Sequence, residues 1–129
     1  MKTKRLLLAA MFCIAGIFTV SAGENKDFTF AFSGADLANP WVAALKDGFE
    51  AACKDLGVNY VSMNASSAVD KQISDIENAI QSGAKAIITN PLDGNALETI
   101  FTEARASGIA SVTCAHAAGS SNPPFLVVD

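Results

Sequence analysis

The sequence predicts a doubly wound α/β domain with a mostly parallel sheet and helices on both faces. Three observations carry the prediction. Apolar runs of strand length begin near residues 28, 59, 86 and 109. Between them lie segments whose apolar residues recur at spacings of three and four, the helical period. Gly57, Gly83 and Gly108 stand where each of those segments should stop.

Phe28 to Phe32 reads as the first strand. Asn39 is placed to cap a helix with Pro40 in its first turn, a favoured pairing because proline lacks only an N–H that the helix start leaves unbonded anyway. Val42, Leu45, Phe49, Ala52, Cys53 and Leu56 form its apolar stripe, and Asn59 to Met63 is the second strand. Ser67 with Asp70 resembles a capping box at the start of the second helix, whose stripe is Val69, Ile73, Ile76 and Ile80. Ala86 to Thr89 is the third strand. The turn Asn90-Pro91-Leu92-Asp93-Gly94 leads into a third helix with Leu97, Ile100, Phe101 and Ala104 inward. Ile109 to Thr113 is the fourth strand, and Phe125 to Val128 a last apolar run. Short strands joined through helices require right-handed crossovers and parallel pairing. The expected strand order is 2-1-3-4-5, the flavodoxin-like arrangement. The units share no sequence motif, so their spacing reflects the fold and not a repeat array.

The start of the chain stands apart. Lys2, Lys4 and Arg5 precede the uncharged run Leu6 to Val20, and Val20-Ser21-Ala22 supplies small residues at cleavage spacing. Residues 1–22 therefore read as a cleavable export signal and 23–129 as one exported domain. Removal of the signal leaves six bases, Lys26, Lys46, Lys54, Lys71, Lys85 and Arg105, against 13 acids. An acidic chain with scattered bases does not suit nucleic acid. Cys53 and Cys114 fall at opposite ends of the expected sheet, so two buried thiols are expected in place of a disulfide.

In open α/β sheets ligands bind beyond the carboxyl ends of the strands, where the strand order reverses. The segments there are Ser33 to Trp41, Asn64 to Ser67, Asn90 to Gly94 and Ala115 to Ser120. They hold amides, hydroxyls, carboxylates, the single tryptophan and the single histidine, but no Lys or Arg. This set suits a neutral polyhydroxylated ligand: a carboxylate accepts from hydroxyls, an amide donates and accepts, and an indole covers the apolar face of a pyranose. A phosphate would call for bases and a Gly-rich loop. The candidate ligand-binding residues are Ser33, Asp36, Asn39, Trp41, Asn90 and His116. Each has a plainer reading: Asn39 as a cap, Asp36 as a turn former, Asn90 as a strand stop and Trp41 as loop packing. No cofactor, metal or catalytic residue is expected. An enzyme using Cys114 and His116 is the remote alternative, since no third group is visible to orient the histidine.

Three stretches, "FAFSGADLANPWVAALKDGFEAACKDLGV", "DKQISDIENAIQSGAKAIITNPLDGNAL" and "EARASGIASVT", resemble the first lobe of bacterial periplasmic sugar-binding proteins, the ribose- and galactose-type substrate-binding components of ABC transporters. The resemblance covers essentially the whole chain after residue 22. It implies a two-lobed clamshell of which this is the N-terminal lobe, a monomer that meets a transporter permease or, alternatively, a membrane sensor for chemotaxis or signalling. It implies that Asn39 hydrogen-bonds the sugar, that Trp41 stacks on it, and that Ser33 to Asp36 line the same wall. The chain departs from the pattern at Ala115-His116, where the family commonly has aspartate followed by arginine. It also departs in length, members running to roughly twice its size or more, so weak binding is expected from one lobe.

Overall fold

The computed structural model describes residues 26–115 and the backbone of a strand at 126–128. Among these residues are five strands: β1 (Thr29–Gly34), β2 (Asn59–Asn64), β3 (Ala86–Thr89), β4 (Ala110–Cys114) and β5 (Leu126–Val128). Three helices join the first four: α1 (Pro40–Leu56), α2 (Val69–Gln81) and α3 (Glu98–Ala106). The sheet order is β2-β1-β3-β4-β5 and every pairing is parallel. Both the class and the strand order expected from the sequence are found.

Alternation along the strands divides the core in two. Phe30 and Phe32 of β1, Tyr60 of β2 and Ile88 of β3 meet α1 through Val42, Leu45, Phe49 and Cys53. The rings of Phe32 and Phe49 lie 5.7 Å apart, and Tyr60 meets Phe49 edge-on at 6.2 Å. Ala31 of β1 and Ile87 of β3 face the other way, onto Ile76 and Ala79 of α2, Leu97 at the N-cap of α3, and Ile100, Phe101 and Ala104 within α3. One face is thus aromatic beneath a single helix, the other aliphatic beneath two. The second face also carries hydroxyls. Ser33, Thr89 and Thr113 stand side by side in register across β1, β3 and β4. All three are fully buried, and their hydroxyls meet no partner among the described residues.

Helix boundaries follow local chemistry at α1. Asn39 Oδ1 accepts from the Trp41 N–H, Pro40 occupies the first turn, and Gly57 closes the helix at φ 66° with its N–H on the last carbonyls. The stripe is narrower than its periodicity suggests. Ala52 is exposed and Leu56 is 52% exposed, because the last turn only borders an open apolar recess with Phe28, Phe30 and Val58.

α2 corrects two expectations. Its N-cap is Ala68 and there is no side-chain cap, so the Ser67/Asp70 capping box does not form. Ser66 and Ser67 instead adopt left-handed backbone, φ 51° and 61°, and the Ser67 hydroxyl turns to Asp36. The buried centre of the helix is Gln72, Ile76 and Ala79, with Ile73 and Ile80 at its margin. Cys53 and Cys114 are free, but only Cys53 is fully buried.

Candidate functional site

The strand order reverses between β1 and β3. From β1 the chain leaves over α1 to β2 on one side; from β3 it leaves over α3 to β4 on the other. The two loops diverge and leave a recess of about 340 Å³ between them, lined by Ala35, Asp36, Asn39, Trp41 and Val42 from the first loop and Asn90, Pro91 and Leu92 from the second. Its volume is that of a small-ligand site. Four of the six residues expected from the sequence line it: Asp36, Asn39, Trp41 and Asn90. Ser33 does not, because its side chain points into the core beside Thr89. His116 lies outside the described residues.

The first wall begins at Gly34. A Cβ there would come within 3.0 Å of Phe32 Cε1 and Val42 Cγ1 and 3.1 Å of Leu37 Cδ2. The absence of a side chain lets the loop fold down onto the core. Asp36 Oδ1 then accepts from the Ala38 N–H at 2.9 Å, and its Oδ2 accepts from Ser67 Oγ at 2.7 Å. The Ser67 hydroxyl first, and the Ala38 amide second, hold the Asp36 carboxyl below its ordinary range. It therefore stays a carboxylate at neutral pH, with lone pairs remaining on both oxygens. Asn39 uses only its oxygen in the cap, at 2.9 Å from the Trp41 nitrogen, so its NH2 is available to a ligand. Trp41 remains 49% exposed. A first-turn residue extends past the strand ends, beyond the part of the helix that the sheet covers.

The second wall is built differently. The side chain of Asn90 donates through Nδ2 to the Cys114 carbonyl at 3.3 Å, which leaves Oδ1 as an acceptor. Its backbone N–H is bound by the Ser33 carbonyl at 3.0 Å, continuing the sheet. Behind it, fully buried Gln72 donates through Nε2 to the Asn90 carbonyl and accepts through Oε1 from the Leu92 N–H, both at 2.9 Å. Sequence reading passed over Gln72. The signal available was its position, three residues after Val69 and four before Ile76, which puts a polar side chain inside the helical stripe. Asn64 stands in one of the strand-end segments but is not among the candidate ligand residues. Its Oδ1 accepts from the Leu37 and Ser66 N–H groups, both at 3.0 Å, and so ties the loop after β2 to the first wall.

The recess offers one carboxylate, one amide donor, one amide acceptor and an indole, with no cation among its lining residues. Among the described residues no three His, Cys, Asp or Glu side chains gather as a metal site would require. Burial raises the Cys114 thiol above its ordinary value, away from the thiolate a nucleophile needs. A second recess, about 320 Å³ between β2 and α2, is lined chiefly by apolar atoms, among them those of Val61, Met63 and Ala79, and shares no residue with the loops at the carboxyl ends of the strands.

Comparison with known proteins agrees with this architecture. A model of the periplasmic binding protein domain matches residues 30–128. The ribose import binding protein RbsB of Bacillus subtilis is 35% identical over 107 residues, which cover 83% of this chain and 35% of that protein. RbsB of Escherichia coli is 28% identical over 95 residues, 74% of this chain and 32% of that protein. Among solved structures, the Caulobacter myo-inositol binding protein bound to myo-inositol superimposes with a TM-score of 0.73 at 26% identity, covering 81% of this chain and 35% of that one. An ABC transporter solute binding protein from Clostridium phytofermentas with bound L-rhamnose does so at 0.69 and 26%, covering 78% and 32%. These relatives are solute-binding proteins and not enzymes. The chain spans about a third of the length of the curated relatives it matches. With the model of the periplasmic binding protein domain matched over residues 30–128 and a five-stranded parallel sheet that opens a recess at its switch point, this chain belongs to the periplasmic binding protein family.

Proposed function

We propose that this chain forms the N-terminal lobe of an exported sugar-binding protein that delivers a monosaccharide or similar polyol to an ABC transporter. On this reading residues 1–22 are the export signal and 23–129 the lobe. The carrying observation is the convergence of Asp36, Asn39, Trp41 and Asn90 on one recess without a cation. The names and ligands of the relatives, ribose, myo-inositol and L-rhamnose, support the same ligand chemistry.

Each residue has a role its chemistry dictates. The Asp36 carboxylate accepts from sugar hydroxyls. Asn39 donates from the amide end its cap leaves open. Asn90 accepts through Oδ1. Trp41 lays its ring against the apolar face of the sugar, where removing both surfaces from water is favourable. Two lobes are needed to enclose a ligand, so the measurement belongs on the protein at its natural length. Titration calorimetry against a panel of pentoses, hexoses and inositols should find one or a few that bind. Trp41→Ala should weaken that binding by about tenfold or more while leaving the melting temperature nearly unchanged. Binding of none of these ligands, alongside tight binding of an amino acid or an anion, would overturn the sugar reading.

A further inference from the structure

We infer that Gln72 is the positioning residue of the second wall, and that recognition by Asn90 depends on both ends of its carboxamide. This rests on the sugar reading for its ligand, although the geometry behind it does not. Gln72 lies outside the recess lining, so any effect it has on binding passes through the loop it holds.

Three features single it out. It is fully buried in the first turn of α2, on the helix face that also buries Ile76 and Ala79, where an unpaired amide is costly. Both polar atoms of its side chain are satisfied, and both by one short segment: Nε2 by the Asn90 carbonyl and Oε1 by the Leu92 N–H. The residue between them is Pro91, which has no N–H of its own and restricts Asn90 to extended backbone. A carboxamide presents donor and acceptor in one plane. Two bonds from one planar group to atoms two residues apart fix rotation as well as distance, whereas a single bond would leave the segment free to pivot. With the backbone clamped, the reach of Nδ2 to the Cys114 carbonyl settles the Asn90 side chain, and Oδ1 is held ready.

The test is a pair of variants in the protein at its natural length. Gln72→Leu keeps the bulk and removes both bonds. Gln72→Glu supplies the acceptor at all pH values but the donor only when protonated, and burial favours the protonated form. Relative to wild type measured in parallel, which cancels contributions from Asp36, Asp93 and other titrating groups, Gln72→Glu should bind its sugar about tenfold or more weakly near pH 8 and recover toward wild type near pH 5. Gln72→Leu should be weakened at both. Compared at one pH, amide exchange at Leu92, which needs no ligand, should be slow in wild type and in Gln72→Glu, which keeps the acceptor, and fast in Gln72→Leu. Circular dichroism of Gln72→Glu at both pH values checks that the fold persists. Wild-type affinity in Gln72→Leu, or Leu92 protection that ignores Gln72→Leu, overturns the inference. If the wild type binds no sugar, the sugar reading fails by itself, and the Leu92 exchange pattern still decides for or against the clamp.

Discussion

The two walls of the recess face each other but are stabilised by different means. The β1–α1 wall draws on bonds within its own turn and on the loop after β2, where Ser67 Oγ donates to Asp36 Oδ2 and the Leu37 N–H to Asn64 Oδ1. Asp36 bonds the amide two residues on, Asn39 does the same to Trp41, and the Asn39 N–H returns to the Asp36 carbonyl at 3.1 Å. The β3–α3 wall takes its Asn90–Leu92 segment from distant partners, Gln72 at 18 and 20 positions' remove and Cys114 at 24. Its local chemistry begins only beyond the recess, where Asp93 Oδ1 accepts from the Asn95 and Ala96 amides. Local bonds form as the chain turns and lose little when neighbouring elements shift. The bonds of Gln72 exist only once α2 has docked on the sheet, so the second wall should report on the integrity of the whole domain, and the first on its own turn and the loop after β2.

Substitutions can break that contrast. The largest loss of stability should follow Gln72→Ala, about 3 kcal/mol by urea unfolding, because a buried carbonyl and an amide lose their partners and a cavity opens. Gly34→Ala should come next at about 2 kcal/mol, since a Cβ at 3.0 Å from Phe32 and Val42 must push the first wall off its base. A smaller loss, about 1 kcal/mol, is expected of Asn39→Ala, which removes one exposed cap. If Asn39→Ala proved costlier than Gln72→Ala, the contrast between a local and a distant origin would fail.

The smallest effect should appear in acid. The Ser67 hydroxyl, and after it the Ala38 amide, favour the charged form of Asp36, so its folded pKa lies below the ordinary 3.8. The folded protein therefore takes up this proton less readily than the unfolded chain. The stabilisation is fully present above the ordinary aspartate value and is lost as pH falls through the depressed one. Urea midpoints of wild type and Asp36→Asn should differ at pH 5 and draw together below pH 3.8. A gap that widened in acid would show that the Ser67 contact does not govern this carboxyl.

Much of the first wall was legible in the chain. Asn39-Pro40 signals a capped start by chemistry confined to three residues, and Trp41 follows at a position the sheet does not cover. The carboxyl-end rule groups Asp36, Asn39, Trp41 and Asn90 from their positions in the chain alone. The errors have a common cause. Ser67 with Asp70 fitted a local capping pattern, but the serine was taken by Asp36, 31 positions away. Ser33 adjoins the site in sequence, yet strand alternation turns its side chain into the core.

The sequence by itself determined the elements, their parallel order and the capped turn that carries Trp41, because each depends on periodicity or on bonds between near neighbours. Only the tertiary structure decided that Gln72 holds the Asn90 wall, that Asn64 and Ser67 bind the loop after β2 to the first wall, and that Ser33 is buried. Those outcomes depend on which side chains meet when α2 packs on the sheet, and a donor or acceptor in the sequence carries no record of the distant partner that will satisfy it.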